Sequence, residues 1–141
     1  MKRRGFSLIE LIVVLAIIAI GFGVTVLKFS IVDKIGAKNE IKTFVDDYSY
    51  MRDFSLSSGR VSSISFNEDG YSLLGTSKTV RKLKYIKPSK KTIITFDGSG
   101  FVSPEMTIPG HNLVFVSRKD PEIEWYFTIQ AVGGYLNEKN K

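Results

Sequence analysis

The sequence predicts an α+β fold, one long N-terminal helix followed by an antiparallel β head. Three observations carry the prediction: an apolar run over residues 6–27, a helical apolar period that continues from it to about Ser57, and a change to period two beyond Gly59. With 141 residues, one small domain is the ceiling once the apolar run is set aside. Cysteine is absent, so disulfide, zinc-cluster and thiol chemistry are excluded.

The helix comes first. No charged residue occurs from Leu11 to Leu27, and counted from Phe6 the run matches the ~20 residues a helix needs to cross a bilayer. Lys2, Arg3 and Arg4 on the leading flank orient it with the N-terminus cytoplasmic and everything after Lys28 outside. Beyond the membrane, Ile41, Phe44, Val45, Tyr48 and Met51 recur at helical spacing, with Lys42, Asp46, Asp47 and Arg52 between them. This stripe reads as core packing, Gly36 as a weak point, and Ser57-Ser58-Gly59 as the stop.

Alternation then places strands over 60–66, 71–74, 80–86, 92–96, 112–117 and 123–130. Turn signals separate them at Glu68-Asp69-Gly70, Asp97-Gly98-Ser99-Gly100 and Lys119-Asp120-Pro121. In the last strand Ile123, Trp125, Phe127 and Ile129 share one face, and Gly133-Gly134 predicts a hairpin into Tyr135 and Leu136. The expected organisation is a basic leader (1–5), a membrane helix (6–27), its amphipathic continuation (28–57) and an exported β head (58–141).

Glu10 stands out within the apolar run. A carboxylate deep in a membrane helix costs about 2.5 to 3.5 kcal/mol, and the helix macrodipole offsets about 0.3 to 1 kcal/mol of that near an N-terminus. A removable secretory signal would end at an A-x-A site, which Ala16-Ile17-Ile18-Ala19 does not supply, and a plain signal anchor leaves Glu10 unexplained. A cut between Gly5 and Phe6 would create an α-ammonium four residues before Glu10, and a neighbouring subunit could supply that cation as its partner.

The basic leader, Gly5, then Phe6-Ser7-Leu8-Ile9-Glu10 and an unbroken apolar run resemble the class III signal of type IV pilins and pseudopilins. The resemblance implies that prepilin peptidase cuts after Gly5 and methylates Phe6. It further implies that Glu10 pairs with a neighbour's N-terminus during assembly in the cytoplasmic membrane. The order of a helix and a cysteine-free β head resembles H-type minor pseudopilins and related minor pilins, hence a pilin-like fold. Ala19 and Gly23, four apart, form a small-xxx-small pair that admits a second helix; glycine is also simply common in membrane helices.

No constellation for catalysis appears. His111 is the only histidine, Gly98-Ser99-Gly100 lacks the Lys-Ser/Thr of a phosphate loop, and Asn67-Glu68-Asp69-Gly70 reads as a calcium loop or, more simply, a turn. The expectation is no enzyme, no cofactor and no metal.

Charge is unevenly placed. Of 20 basic residues three precede Phe6, leaving 17 against 14 acidic, and seven of those lie between Asp69 and Asp97 with no acidic residue among them: Lys78, Arg81, Lys82, Lys84, Lys87, Lys90 and Lys91. Three readings stand: lysines protecting an edge strand, docking on an acidic subunit, or binding a nucleic-acid backbone with Tyr85 available for stacking. The functional expectation is a minor pilin-like subunit of a type II secretion or related pseudopilus. Its partners would be prepilin peptidase, other pilin or pseudopilin subunits and the membrane assembly machinery. The alternative is a DNA-binding minor pilin of a competence, DNA-uptake or type IV pilus system.

Overall fold

Among the described residues one helix, α1, runs over Leu8–Ser58, and eight strands follow it. The computed structural model describes residues 8–75, 77–103, 112–130 and 133–139, with residues 21–30 described by their helical backbone alone. The chain divides into two compact units, Met1–Ile35 and Gly36–Lys141.

In the first unit the described side chains Leu8, Ile9, Leu11 to Leu15, Ile17, Ile18 and Ile20 are all exposed, so the helix is apolar around its circumference. Among the described residues no helix is long and apolar enough to cross a membrane. The described side chains of the apolar run stop at Ile20, so the span expected over 6–27 falls partly outside the described residues.

In the second unit the period-two segments become two antiparallel sheets. The strands are β1 (Ser62–Asn67), β2 (Gly70–Leu74), β3 (Lys78–Lys82), β4 (Ile86–Pro88), β5 (Ile93–Phe96), β6 (Asn112–Ser117), β7 (Glu124–Ile129) and β8 (Leu136–Lys139). One sheet has the order β3-β2-β1-β5 and the other β4-β6-β7-β8. Alternation works as expected along β1, where Ile64 and Phe66 face the core while Ser63 and Ser65 do not. In β7, Phe127 and Ile129 are buried and Trp125 is partly buried on the same face. The hairpin at Gly133-Gly134 leads into β8, paired with β7 through Ile129↔Leu136.

The helical stripe holds both sheets. Ile41, Phe44, Tyr48 and Met51 are buried. The Phe44 ring lies 5.7 Å from Phe66 and 5.5 Å from Tyr71 of one sheet, and 4.8 Å from Phe115 and 6.0 Å from Phe127 of the other. Such tilted and edge-on ring pairs add to the burial of their apolar area. At the end of the helix Ser62 Oγ lies 2.7 Å from Ser55 Oγ and donates to the Met51 carbonyl at 3.0 Å, satisfying a buried polar pair where β1 begins.

Two expectations need correction. The strand expected over 80–86 is not one strand: β3 ends at Lys82, β4 begins at Ile86, and each belongs to a different sheet. Leu83 is still buried and Lys82 and Lys84 exposed, so the side-chain alternation survives without a ladder. Gly36 is no weak point in a helix that continues through it. A Cβ there would lie 2.5 Å from the Tyr85 ring, so the glycine admits that ring against the helix.

Candidate functional site

Gly5 and Phe6 of the expected cleavage site, and Lys2, Arg3 and Arg4, lie outside the described residues. Glu10 lies in the first turn of α1 and is exposed, where the partial positive charge of a helix N-terminus favours a carboxylate. Ala19 is exposed on the helix surface, and Gly23 lies in the helical backbone of residues 21–30. His111 lies outside the described residues.

In the second unit the basic segment is laid along the helix from Gly36 to Asp47. The Tyr85 ring sits over Gly36. One turn on, the Glu40 carboxylate accepts three backbone N–H bonds, from Lys84 at 2.7 Å, Tyr85 at 3.0 Å and Ile86 at 3.1 Å. Two turns further, Asp47 accepts from Arg81 Nε at 2.9 Å and Nη2 at 3.2 Å, and from the Tyr71 hydroxyl at 2.8 Å. Glu40 and Asp47 stand seven residues apart, about two helical turns, so they share a flank of the buried stripe. Sequence reasoning missed both roles. The available signal was two carboxylates beside an apolar face, which need partners from elsewhere in the fold.

These contacts sort the seven cations. Arg81 is held by Asp47, whose hydrogen bond and charge raise the guanidinium further above its usual range. Lys91 pairs with Glu68 at 2.8 Å, and this hydrogen bond and charge hold the Glu68 carboxyl below the ordinary carboxylate range. Lys78, Lys82, Lys84, Lys87 and Lys90 are exposed and form no ion pair among the described residues. Lys84 Nζ lies 5.2 Å from the centre of the Tyr85 ring. Packed against Gly36 and approached by the Lys84 ammonium, that ring is partly taken up within the chain itself.

The turn at residues 67–70 is closed by the Asp69 amide donating to Asn67 Oδ1 at 3.0 Å. Its carboxylates face cations, Glu68 on Lys91 and Asp69 on Arg118 at 3.2 Å. Among the described residues no group of three or more His, Cys, Asp or Glu could hold a metal ion. At Asp97-Gly98-Ser99-Gly100 the Asp97 carboxylate accepts from the Ser99 and Phe101 amides at 2.8 and 2.9 Å, a turn rather than a phosphate cradle.

A second missed constellation joins the end of the helix to the last hairpin. The Tyr48 hydroxyl donates to the Gly134 carbonyl at 2.9 Å, Arg52 Nε donates to the Gly133 carbonyl at 2.6 Å, and the guanidinium lies 4.0 Å over the Tyr135 ring. Gly134 has φ +60, and a Cβ on it would sit 2.7 Å from the Gly100 carbonyl oxygen, so the close approach of the two turns requires glycine.

Comparison with known proteins adds one positive finding. Residues 1–26 match the family described as the prokaryotic N-terminal methylation motif. No curated protein matches the chain, and no solved structure matches it. The match covers the basic leader, the Gly5-Phe6 junction, Glu10 and most of the apolar run, the residues on which the resemblance was read. The N-terminal 26 residues are thus a class III prepilin signal, and in this the chain is consistent with the type IV pilin-like family.

Proposed function

We propose that the chain is a minor pilin-like structural subunit, a pseudopilin of a type II secretion or related pseudopilus. Prepilin peptidase removes residues 1–5 after Gly5 and methylates Phe6. Residues 6–27 anchor the subunit in the cytoplasmic membrane with its head outside, and Glu10 then pairs with the N-terminal ammonium of a neighbouring subunit. Lys2, Arg3 and Arg4 set the orientation, and Ala19 and Gly23 admit a neighbouring helix.

The observation that carries this reading is the methylation motif at residues 1–26 running directly into a helix with Glu10 in its first turn. An apolar helix surface exposed all round, as from Leu8 to Ile20, calls for lipid or other helices to cover it. The motif suggests a structural subunit rather than an enzyme, so the work of the chain is assembly.

Glu10→Ala tests the reading. The variant is expected to be processed to the same size and to remain in the cytoplasmic membrane, yet to be missing from sheared filaments and from cross-linked subunit complexes. Wild-type incorporation of the variant would overturn the assignment of Glu10. Failure of prepilin peptidase to shorten the wild-type chain would overturn the reading as a whole.

A further inference from the structure

We propose that the linked end strands of the two sheets form a sequence-indifferent binding surface for a nucleic-acid phosphodiester backbone, carried by Lys78, Lys82, Lys84, Lys87 and Lys90. The proposal does not rest on the assembly reading, since none of its residues belongs to the N-terminal signal.

Topology places these residues on one stretch of chain that runs from one sheet to the other. β3 is the end strand of one sheet, β4 is the end strand of the other, and the short segment 83–85 joins them. One continuous stretch therefore forms an outer edge of both sheets. It is held along the helix by Gly36, Glu40 and Asp47, which leaves the five lysine side chains exposed. Val80 and Lys82 fall on the same face of β3 as Lys78, opposite Ser72, Gly70 and Leu74 of β2.

Edge protection accounts for lysines on the strands themselves, Lys78, Lys82 and Lys87. It does not account for Lys84, between the strands, or Lys90, beyond β4. Carboxylates remove Arg81 and Lys91 from the set, and the Glu40 charge is taken up by backbone N–H groups of the joining segment. Lysine is depleted at protein–protein interfaces, so a surface whose open cations are all lysine fits a polyanion better than a folded protein partner. Lysine acts as a point charge without the fork that reads base edges, and the Tyr85 ring packs against Gly36 with Lys84 Nζ 5.2 Å from its centre. Such a surface reads phosphates and not bases.

The test uses the full chain in detergent micelles and a fluorescent DNA duplex, titrated by anisotropy over a salt series. Five phosphate contacts give a slope of log K against log salt of about −4.5, on the order of a hundredfold loss of affinity for a threefold rise in salt. The variant K82Q/K84Q/K87Q is expected to bind with a slope of about −1.8, because each lost contact removes about 0.9. R81Q is expected to keep the wild-type slope, as is K2Q/R3Q/R4Q, which removes the leader charges. Duplexes of different base composition are expected to bind within about twofold of one another. No binding at low salt, or an unchanged slope in the triple lysine variant, overturns the proposal. Tighter binding to poly-L-glutamate than to duplex DNA also overturns it, and assigns the surface to an acidic protein partner.

Discussion

Asp47 on the helix and Arg81 on an end strand, 34 residues apart, meet side-on through two hydrogen bonds, and the same carboxylate also accepts the Tyr71 hydroxyl. The aspartate side chain is 13% exposed and the arginine 46%, so the two ends of the pair see different amounts of water. Removing either end therefore has unequal consequences. Asp47→Ala leaves the Tyr71 hydroxyl and the guanidinium without their acceptor and is expected to cost about 1 to 3 kcal/mol. Arg81→Gln leaves Asp47 bonded to Tyr71 and, screened by solvent, is expected to cost about 1 kcal/mol or less. Urea unfolding followed by the fluorescence of Trp125, the single tryptophan, measures both. Equal losses would show that the carboxylate has no role beyond its ion pair.

Glu40 predicts a local effect in the segment that joins the sheets. Glu40→Ala removes the acceptor of three amides and is expected to cost about 1 to 3 kcal/mol, with Glu40→Gln intermediate because one carbonyl oxygen remains to accept. Amide exchange at Lys84, Tyr85 and Ile86 is expected to quicken in the alanine variant before exchange in β6 and β7 changes. Uniform acceleration across the head would contradict a local clamp.

Gly36→Ala sets helix propensity against packing. Propensity alone favours alanine by about 1 kcal/mol, but the new Cβ would fall 2.5 Å from the Tyr85 ring, an overlap expected to cost about 1 to 3 kcal/mol. Net destabilisation is expected in the wild type and stabilisation in a Tyr85→Ala background, where propensity alone remains. The same sign in both backgrounds would refute the contact as the reason for glycine.

Alkali is expected to unfold the head through two phenols. Burial pushes both Tyr48 and Tyr71 well above the ordinary tyrosine value of 10.0, and the hydrogen bond and charge of Asp47 add to the effect at Tyr71. In the unfolded chain both ionise near the ordinary value, so above it the unfolded state binds fewer protons than the native state. The stability contribution is full below that pH and is lost as pH rises beyond it. Phenolate absorbance and far-ultraviolet circular dichroism, recorded together, are expected to show these two ionisations coinciding with loss of structure. Ionisation of all six tyrosines in an intact fold would contradict the burial.

The helix and most strands were legible because local pattern decides them. Phe44, Tyr48 and Met51 at helical spacing could bury one stripe only as a helix, and the alternation of β6 survives unchanged in the fold. Residues 80–86 misled because Lys82, Leu83, Lys84 and Tyr85 do alternate in burial. What ends the ladder is the Glu40 carboxylate, more than forty positions earlier, which takes the N–H groups that a neighbouring strand would otherwise use. Gly133-Gly134 signalled a hairpin, but nothing near it in sequence signals Tyr48 and Arg52, which hold its carbonyls. At the N-terminus the motif was legible because its chemistry is contiguous, from Gly5 to Glu10.

The Phe44 ring touches aromatic rings from both sheets, and this bears on how the head comes apart. Neither sheet can peel from the helix without opening the other's packing, so both melt in one cooperative transition rather than in succession. A protease then finds few half-open forms to cut, and cleavage of the core strands waits on global unfolding.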